Sequence, residues 1–307
     1  MKHLVPISIV IPTLDRGSEI LSLIEQMEIL TVKPFEIIII DQTDNYPEDI
    51  KIELEKAIDS STCNFIYQKS KIKSAGAARN LGVKLSTQDF IVFIDDDVIL
   101  PADFCSNYYK AFIDNPMVDG IAGRVEEINQ PIAYELPLQF KNKNTGFLFR
   151  PMNYGYSLNE LADLGSCNMG IKKMAFLSLN GFDESMKRLE DSDLSLRFIK
   201  NNFRSIYDPS LYLIHKLVQT GANRHITRQH KYPNHLYWKE YFYFILKNCG
   251  LVKGRSFLVY YIKGVLWFKP LLIRPWHFIP AVFHLFKGAF KAKMQLTAQS
   301  KLIHSNA

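Results

Sequence analysis

The 307-residue chain is 47% hydrophobic and 22% charged, enough apolar sequence to bury a sizeable core and too much for a disordered or fibrous protein. Its four cysteines, Cys63, Cys105, Cys167 and Cys249, lie far apart with no Cys-x-x-Cys pair, which argues against a zinc site or disulfide framework and fits a reducing compartment. The net charge of +6 is unevenly placed: residues 1–215 hold 22 Lys/Arg against 30 Asp/Glu, whereas residues 216–307 hold 15 against the single acid Glu240.

The start, Met1 to Pro6, has no long apolar run, so no secretory signal is expected and the first part of the chain should stay in the cytosol. Ile7–Pro12 is predicted as a buried strand stopped by proline, followed by the polar loop Thr13-Leu-Asp15-Arg16-Gly17. Apolar positions at helical spacing predict a helix over Ser18–Leu30. Phe35–Ile40 predicts a second strand ending in Asp41, Glu48–Ile58 a helix, Asn64–Gln68 a short strand and Ala75–Leu85 a helix. Phe90–Ile94 is a third buried strand. Strands alternating with helices make βαβ units and a parallel sheet.

The strand Phe90–Ile94 runs into Asp95-Asp96-Asp97. Side chains alternate along a strand, so Asp95 and Asp97 share a face, about 7 Å of backbone apart, and Asp96 points the other way. Two oxygen donors so placed suit a hard divalent cation, Mg2+ or Mn2+, which commonly also binds substrate phosphates. Asp-rich strand ends are also common as turns or caps. Ligands of open parallel sheets bind beyond the carboxyl ends of the strands, and Asp15, Asp41, Asp95 and Asp97 all fall there. Mutually repelling carboxylates at one edge would be destabilising without a positive partner. No Gly-x-Gly-x-x-Gly follows the first strand and no Walker sequence occurs, which disfavours dinucleotide redox chemistry and P-loop ATP hydrolysis.

Taken in order, Ser8-Ile-Val-Ile-Pro-Thr13, Ile39-Ile-Asp41, Gly76-Ala-Ala-Arg-Asn80-Leu-Gly82 and Phe93-Ile-Asp-Asp-Asp97 resemble family 2 of the glycosyltransferases, with the GT-A fold. The resemblance covers about residues 5–215 and implies a nucleotide-sugar donor, with a lean to UDP. It implies that Asp41 reads the base, that Thr13, Asp15 and Arg16 line the nucleoside pocket, and that Arg79 lies near the diphosphate. Asp95 and Asp97 match the family's Asp-x-Asp pair, with Asp97 the direct metal ligand and Asp95 a ribose or metal-water contact. Alternatively, Arg79 is a solvated helix arginine.

Further on, Ala102–Ile113 predicts a helix, Gly120–Glu126 a strand, and the long polar stretch 129–159 a binding loop or lid. Leu164–Ile171 resembles the family's acceptor-side strand, and Gly181-Phe-Asp-Glu184 its usual turn. Glu190-Asp191 opens a helix and matches the family's Glu-Asp motif, which implies that Asp191 is the catalytic base. Acids in a first helical turn are also favoured by the helix dipole alone. His215 ends the apolar strand Leu211–His215, as either a satisfied core histidine or, by the resemblance, a residue beside metal and diphosphate.

The tail differs in kind. Leu236–Lys247 predicts an aromatic helix, and Ser256–Phe290 mixes aromatic and aliphatic residues with Lys263, Lys269, Arg274 and Lys287 and no acid. Its longest uncharged run, Pro275–Phe286, is too short to span a bilayer. The expectation is an α/β GT-A catalytic domain over 1–232 and a helical, basic-aromatic segment over 233–307. That segment should lie peripherally on anionic lipid at the inner face of the plasma membrane, or else pack on the catalytic domain. Nucleic acid is not an expected partner, because no recognised module is present. The function expected is metal-dependent, inverting transfer of a sugar to a hydroxyl of a glycan or lipid-linked acceptor in cell-surface polysaccharide synthesis. The alternative is a non-catalytic, nucleotide-sugar-binding subunit of a polysaccharide assembly complex.

Overall fold

The computed structural model describes residues 4–128, 131–134, 153–158, 163–218, 235–248 and 278–305. The chain divides into two compact units, Met1–Leu136 with Leu148–Met186 and Glu190–Ala222, and Pro137–Phe147 with Lys187–Leu189 and Asn223–Ala307. The expected boundary at 232/233, most of the predicted lid over 129–159 and the tail residues 249–277 lie outside the described residues.

The first unit is built on an eight-stranded sheet in the order β3-β2-β1-β4-β7-β6-β8-β5. Its strands are β1 (Leu4–Thr13), β2 (Lys33–Asp41), β3 (Phe65–Lys69), β4 (Phe90–Ile94), β5 (Val98–Ile99), β6 (Gly120–Glu127), β7 (Asn168–Lys172) and β8 (Ser205–His215). Strands β3, β2, β1 and β4 are mutually parallel. β7 runs antiparallel to both β4 and β6, β8 is parallel to β6, and the short β5 is antiparallel to β8. Only β5 and β7 therefore run against the rest, and the sheet is mostly parallel.

Both faces are buried, as the unbroken apolar runs require. Alternation sends Ile9, Ile11, Ile37, Ile39, Val92 and Ile94 into one core layer and Val10, Ile38, Ile40, Ile91 and Phe93 into the other. The first layer is closed by α1 (Gly17–Glu28), α2 (Glu48–Asp59) and α4 (Phe104–Asp114); the second by α3 (Ala75–Leu85), α5 (Lys173–Ser178) and α6 (Glu190–Lys200). Helix α3 begins at Ser74, whose hydroxyl accepts from the Ala77 amide, and it comes close to β1 at Gly82. A Cβ at Gly82 would stand 2.3 Å from Val10 Cγ1, so only glycine allows this approach.

Two connections position the site. After β4 the chain crosses the carboxyl edge through Asp95, Asp96 and Asp97 to form β5 at the far side, where Val98 pairs with His215. His215 also pairs with Glu127 at the end of β6. The second unit contains α7 (His235–Asn248) and α8 (Phe278–Ser305), packed on each other. No helix among the described residues is long and apolar enough to cross a membrane. Cys63 and Cys105 are free thiols.

Candidate active site

At the carboxyl edge, Asp95, Asp97 and His215 bring one potential ligand atom each to within 4.8 Å of one another. His215 Nε2 lies 2.9 Å from Asp97 Oδ1 and 4.0 Å from Asp95 Oδ2. For bonds of 2.0–2.1 Å, adjacent ligands of an octahedral ion stand about 3 Å apart and opposite ones about 4.2 Å, so the two separations from His215 fit a small divalent cation. The three acids stand in the connection between β4 and β5, past the last residue of the strand, and Asp96 takes hydrogen bonds from Thr13 Oγ1 (2.7 Å) and Arg16 Nη1 (2.6 Å). Asp97 is fully buried and also accepts from the Val218 amide at 3.0 Å. Burial works to raise its pKa, but the hydrogen bond and charge of His215, with Arg16 and the Val218 amide, bring it down to about 2. For Asp96 burial wins, and its carboxyl is pushed up to about 6 despite Arg16 and Thr13.

Helix α3 links this cluster to the first turn of α6. Arg79 is 3% exposed, which rules out a solvated helix arginine. Its guanidinium donates to Asp95 (2.7 Å) and to Glu190 (3.3 Å), and Asp191 adds to the negative field around it. Burial opposes the charge on Arg79; Asp95, Glu190 and Asp191 outweigh it and raise the pKa. One residue on, the Asn80 amide both donates to the Phe182 carbonyl (2.9 Å) and accepts from its amide (2.8 Å). This clamps the turn at Gly181, whose φ of +65° favours glycine. Arg197 of α6 adds hydrogen bonds to the carbonyls of Leu179 and Gly181. The first turn of α6 is thereby fixed against α3.

Asp191, 8% exposed, accepts from the Ser192 amide. Behind it lies a residue that the sequence did not single out. Asp163, 4% exposed, accepts from the hydroxyls of Ser192 and Ser195, each at 2.9 Å. No pattern of spacing marks Asp163, since the bonds join it to residues some 30 positions later. Leu189, immediately before Glu190, has φ +62°, and Leu217, just after His215, has φ +56°. Such backbone is strained for leucine, and strain of this kind concentrates at functional sites.

Of the remaining expected residues, Asp15 and Asp41 are joined through Thr43, while Thr13 and Arg16 lie with the acidic cluster. Asp15 has φ +56°, is exposed, and donates its amide to Thr43 Oγ1 at 2.7 Å. The Thr43 amide in turn donates to Asp41 Oδ1 at 2.8 Å. Asp41 is fully buried, and its Oδ2 accepts from the Tyr67 hydroxyl and from Lys69 (3.0 Å). Arg16 lies with the acidic cluster: besides Asp96 it reaches Asp97 at 3.2 Å, and Asp96, Asp97 and Asp95 raise its pKa against the effect of its burial. Four acids of the edge therefore have a cation from the chain itself, Lys69 for Asp41, Arg79 for Asp95, and Arg16 for Asp96 and Asp97. The carboxylates alone do not demand a metal; the case for one rests on the convergence of Asp95, Asp97 and His215.

Solved structures share this architecture. S. aureus TarS 1-349 in complex with UDP-GlcNAc superposes with a TM-score of 0.55 at 16% identity, covering 81% of this chain and 69% of that one. The mannosyltransferase PcManGT from Pyrobaculum calidifontis, in complex with GDP-Man and Mn2+, gives 0.53 at 14% identity, covering 97% and 80%. At these identities the likeness is one of fold, the GT-A arrangement. An uncharacterized glycosyltransferase of Haemophilus influenzae is 24% identical over 197 residues, 63% of this chain, and the match spans 62% of that relative's length. The model of glycosyl transferase family 2 matches residues 8–179, from β1 through the Asp95–Asp97 edge to the end of α5, and the chain belongs to that family.

Proposed function

We propose that the protein is an inverting glycosyltransferase, transferring a sugar from a nucleotide-sugar donor, UDP-linked in our reading, to a hydroxyl of a glycan or lipid-linked acceptor. The observation that carries this reading is the Asp95–Arg79–Glu190 chain, which joins a divalent-cation geometry at one end to the helix turn bearing Asp191 at the other. Donor and acceptor chemistry then meet over one rigid link.

In this reading Asp97, Asp95 and His215 hold the cation. Two carboxylates favour Mg2+ or Mn2+, and the imidazole favours Mn2+ of the two. When bound, such an ion neutralises charge developing on the departing diphosphate. Asp191 takes the proton of the acceptor hydroxyl as its oxygen attacks the anomeric carbon from the face opposite the nucleotide, a contribution of roughly 10²–10⁴-fold. Asp163, through Ser192 and Ser195, keeps the first turn of α6 in place. Thr13, Asp15, Thr43 and Asp41 border the nucleoside. Because Asp41 is fully buried, contact with a base requires a neighbour to move, and half-exposed Lys69 is the freest of its partners. The setting we propose is cell-surface polysaccharide synthesis at the cytosolic face of a membrane, with the basic tail touching anionic lipid.

A thermal-shift panel of nucleoside diphosphates and nucleotide sugars with Mn2+ tests the reading. A ligand present at 100 times its Kd stabilises by about 2.7 kcal/mol, or roughly 5–10 °C for a domain of 150–250 residues. One nucleotide class should give such a shift. No shift with any nucleotide or nucleotide sugar contradicts the proposal.

A further inference from the structure

Helix α8 has two unlike faces. One packs on α7: a Cβ at Gly288 would stand 2.4 Å from Trp238 Cβ, Ala292 is fully buried, His284 stacks on His235 at 5.7 Å, and Lys291 Nζ lies 3.1 Å from His235 Nε2. The small residues let the helices approach closely and fix which side of α8 turns outward. On that outward side stand Phe283, Phe286, Phe290 and Met294, exposed by 59%, 67%, 66% and 58%. At 3.6 residues per turn the four fall within an arc of about 80° and form a row about 16 Å long. Lys287 and Lys293, both exposed, flank the row on opposite sides, and Lys287 Nζ lies 5.6 Å from the centre of the Phe283 ring.

Four bulky apolar side chains so exposed present on the order of 400–500 Å², comparable to the largest apolar patch of a typical monomer. Charge decides what covers it. Residues 216–307 contain fifteen Lys/Arg and one acid, Glu240, and that acid is 2% exposed, with its carboxylate accepting from the Lys187 amide at 3.0 Å. A second copy pairing through this row would bring lysines against lysines with no acidic side chain of the segment to answer them. An anionic lipid surface answers both features, taking rings at the acyl boundary and ammonium groups among the headgroups.

We propose that α8 is the membrane-docking element, lying along an anionic lipid surface with Phe283, Phe286, Phe290 and Met294 inserted and Lys287 and Lys293 at headgroup level. This deepens the membrane-face part of the reading above. It is tested without reference to turnover.

The test is co-sedimentation with phosphatidylcholine vesicles carrying 30% phosphatidylglycerol, at low and high salt, for the full chain and for a Phe286→Ser/Phe290→Ser variant. The full chain should pellet, with a fraction surviving high salt. The double variant should bind at least tenfold more weakly and lose the salt-resistant fraction. Lys287→Ser/Lys293→Ser should lose chiefly the salt-sensitive part, since screening acts on it alone. Unchanged thermal midpoints and nucleotide-induced shifts confirm that both variants fold, and they separate this proposal from the glycosyltransferase reading. A parent that stays in the supernatant at low salt, a double variant that pellets like the parent, or a parental dimer that the phenylalanine changes dissolve would each overturn it.

Discussion

Replacing Arg79 by methionine keeps the length and apolar stem of the side chain and removes its charge. The structure gives the consequence a size. Arg79 is 3% exposed and is the positive partner of Asp95 and Glu190, whose side chains are only 27% and 14% exposed. Removing one member of a buried ion pair costs about 3–5 kcal/mol, because the other charge is left uncompensated. Both stranded carboxylates retain some access to water, so the lower end, about 3 kcal/mol, applies. That corresponds to a fall in thermal midpoint of roughly 6–12 °C for a domain of 150–250 residues. Unfolding should be followed with chelator present, so that no cation stands in for the guanidinium. Adding Glu190→Gln to Arg79→Met should restore part of the loss, since one of the stranded charges is then gone. A midpoint within about 1 °C of the parent would mean that Arg79 holds nothing together, and the link between the two halves of the site would fall with it.

Asp191→Asn should keep donor affinity and lower turnover with the acceptor by at least 10², measured as release of nucleoside diphosphate; near-parental rates would assign the base elsewhere. Gly82→Ala should destabilise by about 1–3 kcal/mol in chemical denaturation, because its Cβ would collide with Val10; a neutral outcome would mean that α3 shifts freely over β1. Glu28 gives a pH signature. Burial works to raise its pKa, but Lys33, Ser61 and Thr62 hold it well below the ordinary 4.5, so its contribution is present above that value and is lost as the pH falls further. Glu28→Gln should therefore lower stability at pH 7 and make the acid-side decline shallower, whereas parallel stability profiles would show that Glu28 contributes nothing.

The parts of this protein that are legible in the sequence are those whose causes are local. Helix Ala75–Leu85 and strand Phe90–Ile94 have the expected bounds, because Ser74 caps the first and polar residues close the apolar run of the second. Strand β8 begins at Ser205, six residues before the expected Leu211, because Asp208, Pro209 and Ser210 break the apolar pattern where the register with β6 shifts. β5 is two residues long and α5 six, too short for any period to appear. Asp95, Asp96 and Asp97 stand in the connection between β4 and β5, where strand alternation no longer applies, and Arg16 bridges Asp96 and Asp97. The internal cations have no local cause. Arg16 stands 80 residues from Asp96, and Tyr67 and Lys69 stand 26 and 28 residues from Asp41, so only the folded sheet brings them together. For that reason a cluster of acids that in sequence suits a divalent cation proves to be largely neutralised by the protein's own side chains.

A divalent cation held by Asp95, Asp97 and His215 should make donor binding metal-dependent, which calorimetric titration of the full chain with UDP, with and without Mn2+, alongside Asp97→Ala, will measure. The parent should bind UDP more tightly when Mn2+ is present, and the variant should show no such enhancement. Equal enhancement in both proteins would remove Asp97 from the metal site.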